Sequence, residues 1–293
     1  MTVGFIGLGI MGSRQAASLR REGFELTVFN RTLERAQEWA AEHGGHVAGS
    51  PREVGERSDV VITMVVDGGQ VEKLLLGEDG AAASAGAGTL FVDMSTIGPV
   101  DARRIGAALA ERGHGFVDAP VTGSAPKAED GTLTIMAGGS DADLERAMPL
   151  LKAMGEIIVH VGEIGTGQQV KVLSNAVSAV NCATLAQALV VGRRAGVDLS
   201  ALLKVMGAGS ANSTMLELKG EPMLAHDFTP LFKLDHMLKD VLLCLEDARA
   251  AGAAFPFAGL AGELYSAGAG RGLGDQDFAA VLEVIEDLND TRL

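Results

Sequence analysis

The sequence predicts an α/β N-terminal domain built on a doubly wound, mostly parallel sheet, followed by an all-α C-terminal domain. Three observations predict it. Strand-like and helical runs alternate as far as Gly162, the pattern of a parallel sheet covered on both faces. Beyond Gly162 no convincing strand follows, and helical periodicity dominates from about Gly167 to the end. Between the first strand and the first helix, Gly7, Gly9 and Gly12 are spaced G-x-G-x-x-G.

Taken in order, Val3-Gly4-Phe5-Ile6 reads as a short buried strand, and residues 11 to 21 space their apolar side chains for a helix that stops at Gly23. The β-branched and aromatic run FELTVFN, residues 24–30, reads as a second strand, with a helix over 33–42. A strand, a glycine turn, a helix and a second strand form the βαβ unit in which the triplet has physical meaning. Gly7 permits the tight turn, Gly9 lets the backbone approach a pyrophosphate, and Gly12 lets helix and strand pack closely. The helix N-terminus presents unpaired N–H groups to the phosphates, and Leu8, Ile10 and Met11 complete the dinucleotide loop.

Further strands are expected at 59–66, 88–96, 114–121, 132–139 and 156–162, with helices at 68–76, 99–112 and 141–154 and a different strand order at the far edge. The turn EIGTG, residues 163–167, is the expected hinge. It divides a Rossmann domain, 1–162, from a helical substrate and oligomerisation domain, 163–293, with the active site in the cleft between them. A long helix broken near Gly196 opens the second domain, and shorter ones are expected around 198–208, 214–219, 235–251, 256–269 and 275–288.

Hydrophobic residues make up 47% of the chain and aromatics 4%, so the core must be built from Ala, Val, Leu, Ile and Met. A net charge of −14 argues against nucleic acid or anionic membrane as a partner, and an anionic substrate would need a local basic pocket. Two cysteines and six histidines show neither disulfide nor metal-ligand spacing, so no metal is expected. No signal peptide is expected ahead of the first strand. Residues 175–191 are apolar but interrupted by Asn181 and Gln187, which reads as a buried helix and not a membrane span. A soluble, cytoplasmic protein is expected. Because that helix is apolar around most of its circumference, one chain does not suffice to cover it, and a homodimer or homotetramer built on the helical domain is expected.

The second strand ends in Asn30-Arg31-Thr32, where an NAD-binding chain usually places Asp or Glu. Asn30 carries no charge to repel a 2′-phosphate, Arg31 offers a guanidinium and Thr32 a hydroxyl, so NADP(H) is favoured, with NAD(H) the alternative. A plainer reading has Thr32 capping the helix and Arg31 solvated, and both can hold together. Met64, Val65 and Val66 close one strand, and Ser95 and Thr96 close the next, where a nicotinamide ring would lie. Thr122, Gly123 and Ser124 form a hydroxyl-bearing turn suited to a carboxylate, though a purely geometric turn would look similar. Lys171 and Asn175 lie four apart and share a helix face at the start of an apolar run. A desolvated lysine has a lowered pKa and can act as a general acid, whereas a snorkelling boundary lysine is the structural alternative.

The stretches GFIGLGIMG, DMSTI, DAPVTGS, GTLTIMAGG, GTGQQVKVLSN and FKLDHMLKD, in this order and spacing, resemble the β-hydroxyacid dehydrogenase family over essentially the full length. That family includes 3-hydroxyisobutyrate dehydrogenase, tartronate semialdehyde reductase and the glyoxylate/succinic semialdehyde reductases. The resemblance implies that Lys171 is catalytic and Asn175 assists it, and that Thr122, Gly123 and Ser124 bind the substrate carboxylate. It also implies that Thr96 and Lys239 contact the cofactor, with Asp240 beside the substrate. The activity implied is NAD(P)-dependent interconversion of a small 3-hydroxy acid and its semialdehyde. Many members have Ser-Gly-Gly in place of Thr122-Gly123-Ser124, an asparagine in place of Ser174, and Leu-Pro in place of Met64-Val65. The retained lysine argues against the related imine reductases. A non-catalytic dinucleotide-binding protein is the competing reading, and the joint retention of Lys171, Asn175, Lys239 and the Thr122–Ser124 loop tells against it.

Overall fold

In a computed structural model that describes all 293 residues, the β-branched runs of the N-terminal region become nine strands of one sheet. They are β1 (Val3–Ile6), β2 (Leu26–Phe29), β3 (His46–Val47), β4 (Val60–Thr63), β5 (Leu90–Asp93), β6 (Gly115–Asp118), β7 (Val121–Thr122), β8 (Leu133–Gly138) and β9 (Gly155–Gly162). The order is β3-β2-β1-β4-β5-β6-β8-β7, with β9 also paired to β8. Strands β3 through β6 run parallel, whereas β8 is antiparallel to β6 and β7 and parallel to β9. The expected doubly wound sheet is present, and its irregular far edge is this antiparallel step.

Along β1, β4 and β5 every residue is buried, because helices cover both faces. Alternate residues divide between two cores. Phe5, Ile62 and Val92 pack with Leu19, Trp39 and Leu150 on one face. On the other, Ile6, Val61 and Phe91 pack with Ile105 and Phe116. The covering helices are α1 (Ile10–Arg21), α2 (Leu33–His43), α3 (Pro51–Glu56), α4 (Gly68–Leu76), α5 (Pro99–Ala110), α6 (Ser124–Asp130) and α7 (Asp141–Met154).

Three of these elements, β3, α3 and α6, were not anticipated, and the single strand expected over 114–121 divides into β6 and β7. β3 and α3 are too short for a periodic pattern, and α3 is announced only by Ser50, whose Oγ accepts the Glu53 N–H, with Pro51 following it. α6 begins without a capping side chain, through Gly123 (φ 136°) and Ser124 (φ 59°), so nothing local marks its start.

Beyond the sheet come α8 (Thr166–Arg194), α9 (Leu199–Gly207), α10 (Thr214–Ala225), α11 (Leu234–Ala250), α12 (Pro256–Gly270) and α13 (Val281–Leu288). The two compact units are Met1–Lys171 and Val172–Leu293, and the changeover falls within α8. α10 runs past the expected residue 219 and through Pro222 to Ala225, and within it the buried Lys219 ammonium pairs with Asp277 at 2.8 Å. The helical unit packs Ala179, Cys182, Leu185 and Leu189 of α8 against Met223, Leu234, Val241, Tyr265 and Ile285. By length and composition α8 could cross a membrane, yet 56% of its most apolar window is buried inside the protein. Its outer face leaves Val170, Leu173, Val177 and Val191 exposed.

Ser124 carries a Cβ in the left-handed region, which costs a residue of L chirality about 1–2 kcal/mol. Ser124→Gly should therefore raise the unfolding free energy by about 1 kcal/mol in urea denaturation. Unchanged or lowered stability would show that the serine relieves its own strain.

Candidate active site

The glycine loop lies between β1 and α1 at the C-terminal edge of the sheet. Gly7 has φ 103°, and a Cβ there would collide with the Met64 carbonyl. One at Gly12 would collide with the Gly7 carbonyl. Gly9, the N-cap of α1, has open space where its Cβ would be, no side chain caps the helix, and no acid stands in its first turn. Those features fit a bound pyrophosphate: room at the middle glycine and helix N–H groups with no carboxylate to compete. Leu8 and Gly12 are buried and Met11 half-buried, while Ile10 and Val66 are exposed apolar side chains beside the loop's strands.

Asn30 ties this loop to the next. Its Oδ1 accepts the Leu8 N–H at 3.1 Å and its Nδ2 donates to the Thr32 carbonyl at 2.9 Å. Arg31 and Thr32 are exposed, and Thr32 occupies the N-cap of α2 without its side chain bonding the helix. The hydroxyl is therefore not consumed by capping.

The start of α8 is built into the same α/β unit. Asp118, at the end of β6 and fully buried, accepts the Gly165 N–H at 2.7 Å and the Gln168 N–H at 2.9 Å. Burial pushes its carboxyl up to about 7; the two N–H donors pull it down, and Asp93 adds to the rise. Gly167 is bare against the Met136 and Asp118 carbonyls, which is how the helix comes so close to the strands. Gln168 reaches across to the loop after β5: its Nε2 donates to the Ser95 carbonyl at 2.8 Å and its Oε1 accepts the Ile97 N–H at 3.0 Å. Ser95 Oγ donates to Asp93 Oδ1 at 2.7 Å and accepts the Val65 N–H at 2.9 Å. Thr96, between two buried neighbours, is half-buried, as are Met64 and Val65. Lys171 lies three residues beyond Gln168 and is only 7% exposed.

Thr122 is exposed, and Gly123 and Ser124 are half-buried at the start of α6. A Cβ on Gly123 would press against the Lys127 side chain and Leu133. Within the helical unit, Asn175 Nδ2 donates to Asp240 Oδ2 at 2.6 Å, and Asp240 pairs with the Lys239 ammonium at 2.8 Å. Asp240 is fully buried, so its carboxylate orients Asn175 and Lys239. On α8 itself, Lys171 and Asn175 are one turn apart on one face. Sequence reasoning missed Asp93, Asp118 and Gln168. The available signal was the polar run Gln168-Gln169 just ahead of Lys171, at the opening of a helix that is mostly apolar further on.

Residues 2–162 match a family model described as the NAD binding domain of 6-phosphogluconate dehydrogenase. Residues 165–285 match one described as NAD-binding of NADP-dependent 3-hydroxyisobutyrate dehydrogenase. The chain is 36% identical over 293 residues to 2-hydroxy-3-oxopropionate reductase of Escherichia coli K12, covering 100% of both chains. It is 35% identical over 287 residues to 2-(hydroxymethyl)glutarate dehydrogenase of Eubacterium barkeri, covering 98% of this chain and 95% of the other. Among solved structures, Mycobacterium tuberculosis 3-hydroxyisobutyrate dehydrogenase with L-serine superposes with a TM-score of 0.90 at 34% identity, covering 97% and 98% of the two chains. With an α/β dinucleotide-binding unit, a helical unit and full-length likeness to these enzymes, the chain belongs to the β-hydroxyacid dehydrogenase family.

Proposed function

We propose that the protein is an NADPH-preferring reductase of small aldehyde acids, or a dehydrogenase of the matching 3-hydroxy acids, with Lys171 as the general acid and base. The observation that carries this reading is a buried lysine whose helical turn is bonded to the C-terminal sheet edge beside the glycine loop. Bound at that loop, the dinucleotide would supply or take up the hydride at its nicotinamide ring.

The chain's own residues then have separable tasks. Gly7, Gly9 and the first turn of α1 hold the pyrophosphate, and Arg31 with Thr32 reads the 2′-phosphate. Met64, Val65, Val66 and Thr96 line the ring, and Lys239 contacts the cofactor. Backbone N–H groups and hydroxyls of Thr122, Gly123 and Ser124 hold the substrate carboxylate. As negative charge grows on the carbonyl oxygen, the Lys171 ammonium stabilises it and gives up a proton to it. In the reverse direction the neutral amine takes the proton from the hydroxyl. Asn175, oriented by Asp240, holds the substrate oxygen or the lysine. The description of the second family model as NADP-dependent supports the cofactor preference. The exposed apolar stripe of α8 supports self-association as a dimer or tetramer, and two buried free thiols, Cys182 and Cys244, suit a reducing cytoplasm.

A panel of two- to five-carbon semialdehydes and hydroxy acids, assayed with both cofactors, tests the activity; absence of turnover on all of them leaves a binding protein. Arg31→Ala should weaken NADPH by about 1.5–3 kcal/mol and leave NADH nearly unaffected, measured by titration. Equal weakening of both would remove Arg31 from phosphate recognition. Lys171→Ala should lower kcat about 10²–10⁴-fold with NADPH affinity little changed. Lys171→Arg should not rescue it, since a guanidinium does not release its proton at neutral pH. Near-normal turnover in Lys171→Ala would exclude the lysine as proton donor.

A further inference from the structure

We propose that Gln168 is a positioning residue for the reaction, a buried amide clamp that fixes Thr96 in register with the turn carrying Lys171. The inference rests on the reductase reading above and adds a residue to it.

The clamp is visible in how the amide is used. Gln168 is completely buried. Its two polar ends bond the carbonyl before Thr96 and the N–H after it, at 2.8 and 3.0 Å. A side chain that grips residues 95 and 97 from one side fixes the backbone course of the residue between them. Thr96 is the least buried of the three. The gripping residue is itself immobile, because its own N–H is held by Asp118 Oδ2 at 2.9 Å. The gripped loop is tied in turn to the segment after β4, through Ser95 Oγ and the Val65 N–H. Gln168 and Ser95 together thus join the first turn of α8, the loop after β5 and the loop after β4. Lys171 follows it by less than one helical turn.

The chemistry of the position is narrow. It requires one donor and one acceptor at the end of a chain long enough to cross from the helix to the loop. Among side chains uncharged at neutral pH, only an amide sets a donor and an acceptor side by side at the end of a flexible chain. A carboxylate in its place would lose the donor to Ser95 and add negative charge beside buried Asp118 and Asp93. An apolar side chain would leave a buried carbonyl and a buried N–H without this partner. Since Thr96 and Lys171 act on the same reacting centre in the proposed function, slack between them is felt in the chemical step. A displacement of about 1 Å can cost about 10²-fold in rate.

The test uses the full-length enzyme and the best substrate found for the wild type. Gln168→Leu, which keeps the volume and removes both bonds, should lower kcat about 10- to 100-fold, while NADPH affinity and KM change less than about threefold. Gln168→Glu supplies the second readout. Protonated, the introduced carboxyl can donate to Ser95 and accept from Ile97, so its kcat relative to wild type should rise as pH falls. Wild-type kcat in folded Gln168→Leu overturns the proposal. If Gln168→Leu fails to fold, a Gln168→Glu ratio that stays flat with pH overturns it, and a ratio that rises supports it. A wild-type enzyme inert on every aldehyde acid removes the reductase reading and the clamp together. Activity in the wild type matched by the variants removes the clamp alone.

Discussion

At the C-terminal edge of the sheet the carboxyl group of Asp118 accepts two N–H groups from the opening turn of α8, and that contact anchors the turn that carries Gln168 and Lys171. Four N–H groups at any helix start lack intrahelical partners, and here two of them are satisfied by the Asp118 carboxyl oxygens, whose ionised form the helix dipole favours. The contact requires close approach, which Gly167 permits by having no side chain against the strands. Once docked, the helix aims Gln168 at the loop after β5 and carries Lys171 into the same α/β unit as the glycine loop.

By magnitude the gain and the cost of this contact nearly cancel, so it adds little net stability. Each hydrogen bond to a charged group contributes about 1.5–3 kcal/mol, whereas removing a carboxylate from water costs several kcal/mol. The rise of the Asp118 carboxyl to about 7 says that burial outweighs its donors. An apolar contact would hold the helix at lower cost but would not fix its rotation. Direction is what the carboxylate supplies: two N–H vectors specify which residues of the turn face the sheet. The same logic holds in the helical unit, where buried Asp240 orients Asn175 and Lys239.

Much of this was legible in the sequence because the signals were local. The βαβ unit could be read from Val3 to Asn30 because strand, glycine turn, helix and strand follow one another directly. Lys171 and Asn175 stood out as polar residues in an apolar helix. What stayed hidden depended on partners distant in sequence. Asp118 looks like an ordinary strand end until Gly165 and Gln168, 47 and 50 residues on, are folded onto it. Asp240 reads as a substrate neighbour beside Lys239, and only the folded chain shows it buried against Asn175, 65 residues away. α10 was expected over 214–219 and runs on through Pro222 to Ala225. Within it Lys219 is buried and paired with Asp277, a partner 58 residues away that the local pattern does not reveal.

The central claim is that the docked turn delivers Lys171 to the reacting oxygen. A crystal structure of the full-length enzyme with NADP+ and a bound 3-hydroxy acid measures this directly. The account predicts the Lys171 Nζ within about 2.6–3.2 Å of the substrate hydroxyl oxygen, with Gln168 still bonded to Ser95 and Ile97. A substrate hydroxyl held by another proton-transferring group, with the lysine turned away or paired elsewhere, would contradict it.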